Sequence, residues 1–252
     1  MYSWEHRKDE ALQYFEDRFK IKIRKKEFFY EALTHSSFLN ENKKWPYKHN
    51  ERLEFLGDAV LQLSSSDLIF SKYPDLPEGV LTPLRANLVN SLMLSKIALS
   101  LSLDKYIFIS KGERMSVEQF LTQLKTKTID ESKVKCYVLA DAVEALFGAI
   151  YLDQGFQVTK NVITDILKNF IDEVAEKSNQ KDHKSLLQEK MQELYKKAPS
   201  YKVIKSVGPA HQVFYTVSVT IHDKELGIGE GWSKKDAEEK AAENALQEEK
   251  WK

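Results

Sequence analysis

Two segments of this chain place acidic side chains at helical spacing. The first, Asn50 to Leu63, reads NERLEFLGDAVLQL. Advancing 100° per residue from Glu51 puts Glu54 at about 300° and Asp58 at about 340°, so three carboxylates share an arc of about 60°. Leu53, Leu56, Val60 and Leu63 fall between about 120° and 200°, the face expected to be buried. Taken alone, the segment reads as an amphipathic helix with a solvated acidic face. Two details count against that. No Lys or Arg stands at i+4 to offset the acids. Gly57 sits mid-helix at a cost of up to about 1 kcal/mol, which usually marks a close approach of another backbone.

The second segment, Val138 to Leu152, reads VLADAVEALFGAIYL and carries two charges, Asp141 and Glu144. A helix apolar nearly all round is buried. Its two acids are one turn apart, and Ala145 and Gly148 beside them leave room for a neighbouring backbone. Unpaired carboxylates in such a helix are costly. They require raised pKa values, a basic partner such as Arg52 or Arg85, or a bound cation. If the two acidic faces oppose each other, Glu54, Asp58, Asp141 and Glu144 enclose one small space. An all-oxygen donor set suits Mg²⁺ or Mn²⁺ rather than zinc. Such an ion takes phosphate oxygens as further ligands and acidifies a bound water, which is the chemistry of phosphodiester hydrolysis.

The elements that must position these acids are helical. From Phe28 to about Val174 apolar residues return every three or four positions. Glu173 to His183 is polar and charged, the end of a helix and a linker. Then the pattern changes. His183 to Lys197 is an amphipathic helix with Leu186, Leu187, Met191 and Leu194 as its stripe, stopped by Pro199. Tyr201 to Val207 is a short strand. Gln212 to His222 alternates cleanly, with Val213, Tyr215, Val217, Val219 and Ile221 on one side. A third strand spans about Lys224 to Gly231, and a last helix runs from Lys234 to about Glu249. The expected organisation is multidomain: an all-α domain over 1–175, a linker over 176–182, and a small α+β domain (α-β-β-β-α) over 183–252.

Longer motifs surround these residues. His49 to Leu61 (HNERLEFLGDAVL) resembles the signature motif of ribonuclease III. Ala32 to Phe38 (ALTHSSF), Pro77 to Asn90 (PEGVLTPLRANLVN) and Leu139 to Phe156 (LADAVEALFGAIYLDQGF) are similar to further segments of that family, in order and at suitable distances. The resemblance implies a metal-dependent endoribonuclease that cuts double-stranded RNA. It implies Glu54, Asp58, Asp141 and Glu144 as the metal-centred set, with Asp58 and Glu144 most critical for hydrolysis. Glu51 and Glu78 fall on two further acidic positions of the family, with supporting roles. It implies a homodimer formed by the catalytic domains near Phe55 and Leu56. Each protomer would cut one strand, leaving staggered 5′-phosphate and 3′-hydroxyl ends, with ribosomal RNA precursors and structured messages as substrates. One segment departs from the family: Arg114 to Tyr137 is longer and lacks glycine. It is expected to form an extra helix with a basic end (Lys125, Lys127, Lys133, Lys135).

The C-terminal region resembles a double-stranded-RNA-binding domain. The resemblance maps minor-groove contacts onto Gln188, Glu189 and Gln192. The loop carrying Pro209 and His211 maps onto the next minor groove, and Lys234, Lys235 and Lys240 onto the major-groove phosphates. Two of these lysines stand in the first turn of the last helix, where the helix dipole disfavours cations and a phosphate backbone compensates. Ser233 is the expected N-cap, with Asp236 as its capping-box partner.

Composition bounds the remaining choices. The 252 residues hold 38 Lys and Arg and 38 Asp and Glu, a formal net charge of zero. Residues 183–252 hold twelve lysines and eleven acids, so neither half is basic in bulk. RNA binding must then rest on a few placed lysines and on A-form shape. Cys136 is the single cysteine, which excludes a disulfide framework and a CxxC zinc pair; it reads as a small buried hydrophobe. The first nine residues lack a signal-peptide core, and no apolar run nears the roughly 18 residues of a membrane span. The expected location is cytoplasmic, with no membrane partner and no organic cofactor. The residues also count against two other functions. A non-catalytic RNA-binding scaffold would lack family acids, and all six are filled. A small-substrate metal hydrolase leaves the C-terminal domain unexplained.

Overall fold

The computed structural model describes residues 4–126, 136–179, 183–209 and 213–248. Among these are thirteen helices and three strands. They divide into two compact units, Met1–Ser178 and Asn179–Lys252. No helix among the described residues is long and apolar enough to cross a membrane.

The first unit is all-helical. Its helices are α1 (Trp4–Phe19), α2 (Lys26–Ala32), α3 (Ser36–Glu41), α4 (Glu51–Lys72), α5 (Glu78–Leu88), α6 (Ser91–Ser100), α7 (Leu103–Tyr106), α8 (Lys111–Thr126), α9 (Tyr137–Gln154), α10 (Phe156–Leu167) and α11 (Ile171–Asn179). The expected apolar helix is α9, and it forms the centre of the unit. Twelve of its eighteen residues are buried. Both of its ends are pinned. The buried Ser95 hydroxyl on α6 donates to the Cys136 carbonyl at 3.0 Å, just before α9 begins. At the other end the Asp153 carboxylate accepts the backbone N–H groups of Arg24 and Lys25, the latter at 2.8 Å.

Helix α4 makes the most extensive helix–helix contact of the unit, with α9. Leu53 and Val60 are buried, as the helical wheel requires, and so is Leu61, which the wheel places at about 280°, next to the acidic arc. Leu63 is not: it is exposed, together with Phe55 and Phe70. On the wheel Phe55, Leu63 and Phe70 stand at about 40°, 120° and 100° from Glu51, an apolar strip beside the acidic arc. The wheel alone pairs one buried face with one polar face. Here α9 occupies the Leu53–Gly57 side, α4 also packs against α5 and α10, and the remaining apolar side chains are left on the surface.

Of the segment that departs from the family, residues 114–126 lie in helix α8, with Val117 and Phe120 buried. Lys127, Lys133 and Lys135, named above as its basic end, lie outside the described residues.

The second unit consists of α12 (His183–Tyr195), β1 (Ser200–Val207), β2 (Phe214–Ile221), β3 (Lys224–Gly231) and α13 (Lys234–Glu248). The strands form an antiparallel sheet in the order β1-β2-β3. Leu187 and Met191 of α12 are buried, whereas Leu194, in its last turn, is exposed rather than part of the stripe. His222 and Asp223 both take positive φ, as a two-residue I′ hairpin turn demands. Val217, Val219 and Ile221 face the helices. Thr216 and Ser218, on the other side of β2, are also buried, because the Glu230 and Glu225 carboxylates of β3 reach across and accept their hydroxyl protons at 3.0 and 2.8 Å. On the helix side, Gly227, Gly229 and Gly231 of β3 meet Ala237, Ala241 and Ala245 of α13. A Cβ on Gly227 would lie 2.7 Å from the Ala241 carbonyl oxygen. The small residues on both surfaces let the helix lie directly on the sheet.

Candidate metal centre and RNA-binding surface

The acids of the first unit come together where α4 crosses α9. A Cβ on Gly57 would overlap the Glu144 carbonyl oxygen and stand 2.8 Å from the Gly148 nitrogen. A Cβ on Gly148 would overlap the Leu53 carbonyl oxygen. The two helices therefore touch backbone to backbone. The glycines that the sequence marks as close-packing positions face each other at the crossing. This contact brings the acidic edge of α4 against Asp141 and Glu144. Among the described residues, Glu54, Asp141 and Glu144 each offer a carboxylate oxygen, and these oxygens lie within 4.8 Å of one another. All three side chains are half-buried.

Like charges at this spacing repel, and burial adds to the effect. Burial first, then Asp58, Asp141 and Glu54, push the Glu144 carboxyl up to about 8. Burial, then Asp141, Glu51 and Asp58, raises Glu54. Burial also raises Asp141, and the nearby His35 ring opposes the rise. Arg85, considered above as a neutralising partner, instead donates to Ser66 Oγ at 2.9 Å. The donor chemistry, three crowded carboxylates without sulfur or imidazole, fits a hard divalent cation.

The other expected acids stand differently. Asp58 lies outside the three-carboxylate group but is the foremost charge acting on Glu144; its Oδ1 accepts from Gln62 at 3.2 Å. Glu51 is exposed, 3.7 Å from His49 Nδ1, and acts electrostatically on Glu54. Glu78 opens α5, is exposed, and accepts from Thr82 of its own helix at 2.8 Å.

Sequence reasoning assigned no role to His35, although it lies within the ALTHSSF motif. The ring is held locally, with Nδ1 accepting from the Ser37 N–H at 3.3 Å and 2.8 Å from Ser37 Oγ. The carbonyl of Thr34, the residue before it, takes the Asn50 N–H at 2.9 Å, which ties this segment to the start of α4. His35 and Asp141 are far apart in the chain, so no local pattern signals their interaction.

In the second unit, Gln188, Glu189 and Gln192 are exposed on α12, and Pro209 is exposed after β1. Lys234, Lys235 and Lys240 are exposed on α13. Ser233 caps α13, its Oγ accepting the Asp236 N–H at 3.1 Å. The Lys234 ammonium stands 5.8 Å from the centre of the Tyr215 ring. His211 lies outside the described residues.

A helical unit centred on crowded carboxylates, joined in one chain to an α-β-β-β-α unit with a lysine-bearing helix start, defines a two-domain nuclease of double-stranded nucleic acid. Comparison with known proteins gives the family. Residues 25–170 match the ribonuclease-III-like family, and residues 183–249 match the double-stranded RNA binding motif. Ribonuclease 3 of Natranaerobius thermophilus is 42% identical over 219 residues, covering 86% of this chain and 87% of its own. Ribonuclease 3 of Bacillus licheniformis is 38% identical over 240 residues, covering 95% and 90%. A solved nuclease domain of ribonuclease III from Campylobacter jejuni is 37% identical, covering 63% of this chain and 98% of that one, with a TM-score of 0.49. The chain belongs to the ribonuclease III family of double-stranded-RNA-specific endoribonucleases, in the bacterial form with a catalytic domain followed by an RNA-binding domain.

Proposed function

We propose that this chain hydrolyses double-stranded RNA with Mg²⁺ held by Glu54, Asp141 and Glu144, Mn²⁺ serving as a substitute, and with Asp58 beside them. The observation that carries this reading is the group of three carboxylates within 4.8 Å at a glycine-to-glycine helix crossing. A divalent ion there supplies neutralisation of phosphate charge and an acidified water. The chain's own residues do the rest. Glu54, Asp141 and Glu144 fix the ion's place. Asp58 keeps Glu144 basic, and His35 steadies Asp141. Glu51 and Glu78 act at the margin, on substrate position.

The catalytic domain extends over 1–175 and the RNA-binding domain over 183–252, with the linker over 176–182. Gln188, Glu189, Gln192, Pro209 and His211 read minor-groove shape, while Lys234, Lys235 and Lys240 take the phosphates. The enzyme works as a cytoplasmic homodimer joined along the exposed Phe55 strip, each protomer cutting one strand. The products are staggered ends with 5′-phosphate and 3′-hydroxyl groups, and the substrates are ribosomal RNA precursors and structured messenger RNA.

Cleavage of a long RNA duplex, compared in Mg²⁺ and in EDTA, tests the reading. Cleavage that persists in EDTA, or that is unchanged in Glu144→Ala, overturns it. End-labelling of the products checks the termini.

A further inference from the structure

Trp232 stands between β3 and the lysines of α13, and it is 64% exposed. A large aromatic side chain left in water at this point is costly unless something covers it. It packs edge-to-face against Phe214, ring centres 4.9 Å apart. Phe214 begins β2 directly opposite Val207, so this aromatic step lies at the end of the sheet from which the Pro209 loop departs.

The step has two sides, and charge distinguishes them. One side is lined by Asp236, Glu239 and Glu243 together with His183 and Lys240, an acidic surround for a polyanion. The other is an open cleft of about 610 Å³, lined among others by Lys205, Pro209, Thr216 and Glu230. Its one lysine balances its one acid, and the Glu230 Oε1 is already engaged by the Thr216 hydroxyl at 3.0 Å. A nucleic-acid strand therefore favours the second side. That side also meets the expected RNA surface at Pro209, which lines the cleft.

We propose that the cleft between Trp232, Phe214 and Lys205 is a stacking site for an unpaired nucleobase, one that extends or bulges from the duplex held by α13. Paired bases inside a duplex present no free face, so the ligand is an unstacked base. Aromatic side chains bind such bases with little regard to sequence. Lys205 lines the same cleft and is its one cation for the phosphate of that nucleotide. The site would make the enzyme prefer duplexes with single-stranded junctions over perfect ones.

The inference rests on the RNA-binding reading of the second unit, and the test separates the two. In the full-length Glu144→Ala chain, which keeps the RNA intact, affinity is measured for three RNAs. These are a blunt duplex, the same duplex with a two-nucleotide 3′ extension, and that extension without its bases. Trp232→Ala is expected to weaken binding of the extended duplex about tenfold, within the range of base–aromatic stacking, and to leave the other two unchanged. Trp232→Phe is expected to retain most of the affinity. An equal loss on all three RNAs overturns the proposal, because Trp232 then acts by supporting the helix start. No loss on any of them overturns it too, and points to a protein segment as the occupant. Failure of the parent chain to bind the blunt duplex overturns the RNA-binding reading itself and this proposal with it.

Discussion

Gly57 on α4 and Gly148 on α9 face each other so closely that a Cβ on Gly57 would stand 2.8 Å from the Gly148 nitrogen. The same Cβ would overlap the carbonyl oxygen of Glu144, one of the three clustered acids. The crossing thus sets the spacing of the carboxylates. Gly57→Ala gains about 1 kcal/mol of helix propensity but must push two backbones apart, at about 1–3 kcal/mol or more. The expected result is a lower Tm and a raised Mg²⁺ requirement for cleavage. Unaltered Mg²⁺ dependence in the Gly57→Ala chain would show that the glycine contact does not govern the site.

The raised Glu144 carboxyl makes metal-free stability depend on pH. Its folded pKa of about 8 lies above the ordinary 4.5, so the folded form holds the proton more tightly than the unfolded form. This group's contribution is therefore full below about pH 4.5 and is lost as pH rises through 8. After allowance for solvent screening at the cleft, the loss amounts to roughly a few kcal/mol. In EDTA, the Tm difference between the parent and Glu144→Gln is expected to move in favour of the glutamine chain from pH 5 to pH 8. Excess Mg²⁺ at pH 8 is expected to restore the parent alone. Parallel Tm curves across that range would contradict the crowding described here.

The individual acids should separate by position. Glu54→Gln and Asp141→Asn remove members of the clustered group, and each is expected to cut cleavage by more than about 100-fold, beyond the range of changes to supporting residues. Glu78→Gln changes an exposed carboxylate bonded within its own helix, and a loss of about tenfold or less is expected. Single-turnover rates at saturating Mg²⁺ measure both. A Glu78→Gln loss as large as that of Asp141→Asn would place Glu78 among the ligands.

Much of the site was legible in the sequence for physical reasons. Asp141 and Glu144 stand out because charge inside an apolar helix needs a cause. Gly57 and Gly148 stand out because glycine in a helix needs one too. The exposed Leu63 was not legible, since a wheel reports which residues share a face but not which neighbour covers it. His35 was hidden by sequence distance from Asp141. Trp232 carried one signal, its bulk between the polar residues of GEGWSKK, and its meaning depends on Phe214, which only strand pairing brings beside it.

The exposed strip on α4 bears on assembly. Phe55 is 81% exposed and Phe70 71%, adjoining a cleft lined by Leu63, Ile69 and Leu81. Apolar area of this extent is expected to be covered by a second copy of the chain. Phe55→Asp is expected to shift the protein from dimer to monomer in sedimentation velocity at micromolar concentration, with little change in helix content. A parent chain that sediments only as monomer would remove the dimer from the mechanism.

A protein of zero net charge must bind a polyanion through the placement of its charges. With twelve lysines against eleven acids in residues 183–252, bulk attraction is weak, and affinity must come from lysines held in place. Lys234 and Lys235 stand exposed in the first turn of α13, where the helix dipole adds to their repulsion until a phosphate arrives. Each phosphate neutralised on a duplex releases counterions worth a slope of about 0.9 in log affinity against log salt. Replacing both lysines by alanine is therefore expected to flatten the salt dependence of duplex binding by about 1–2 units and to weaken binding uniformly across duplex sequences. Titrations between low and high salt with a catalytically inactive chain measure the slope. If the slope is unchanged while affinity falls, the two lysines act by shaping the helix start, and the phosphate contacts lie on other residues.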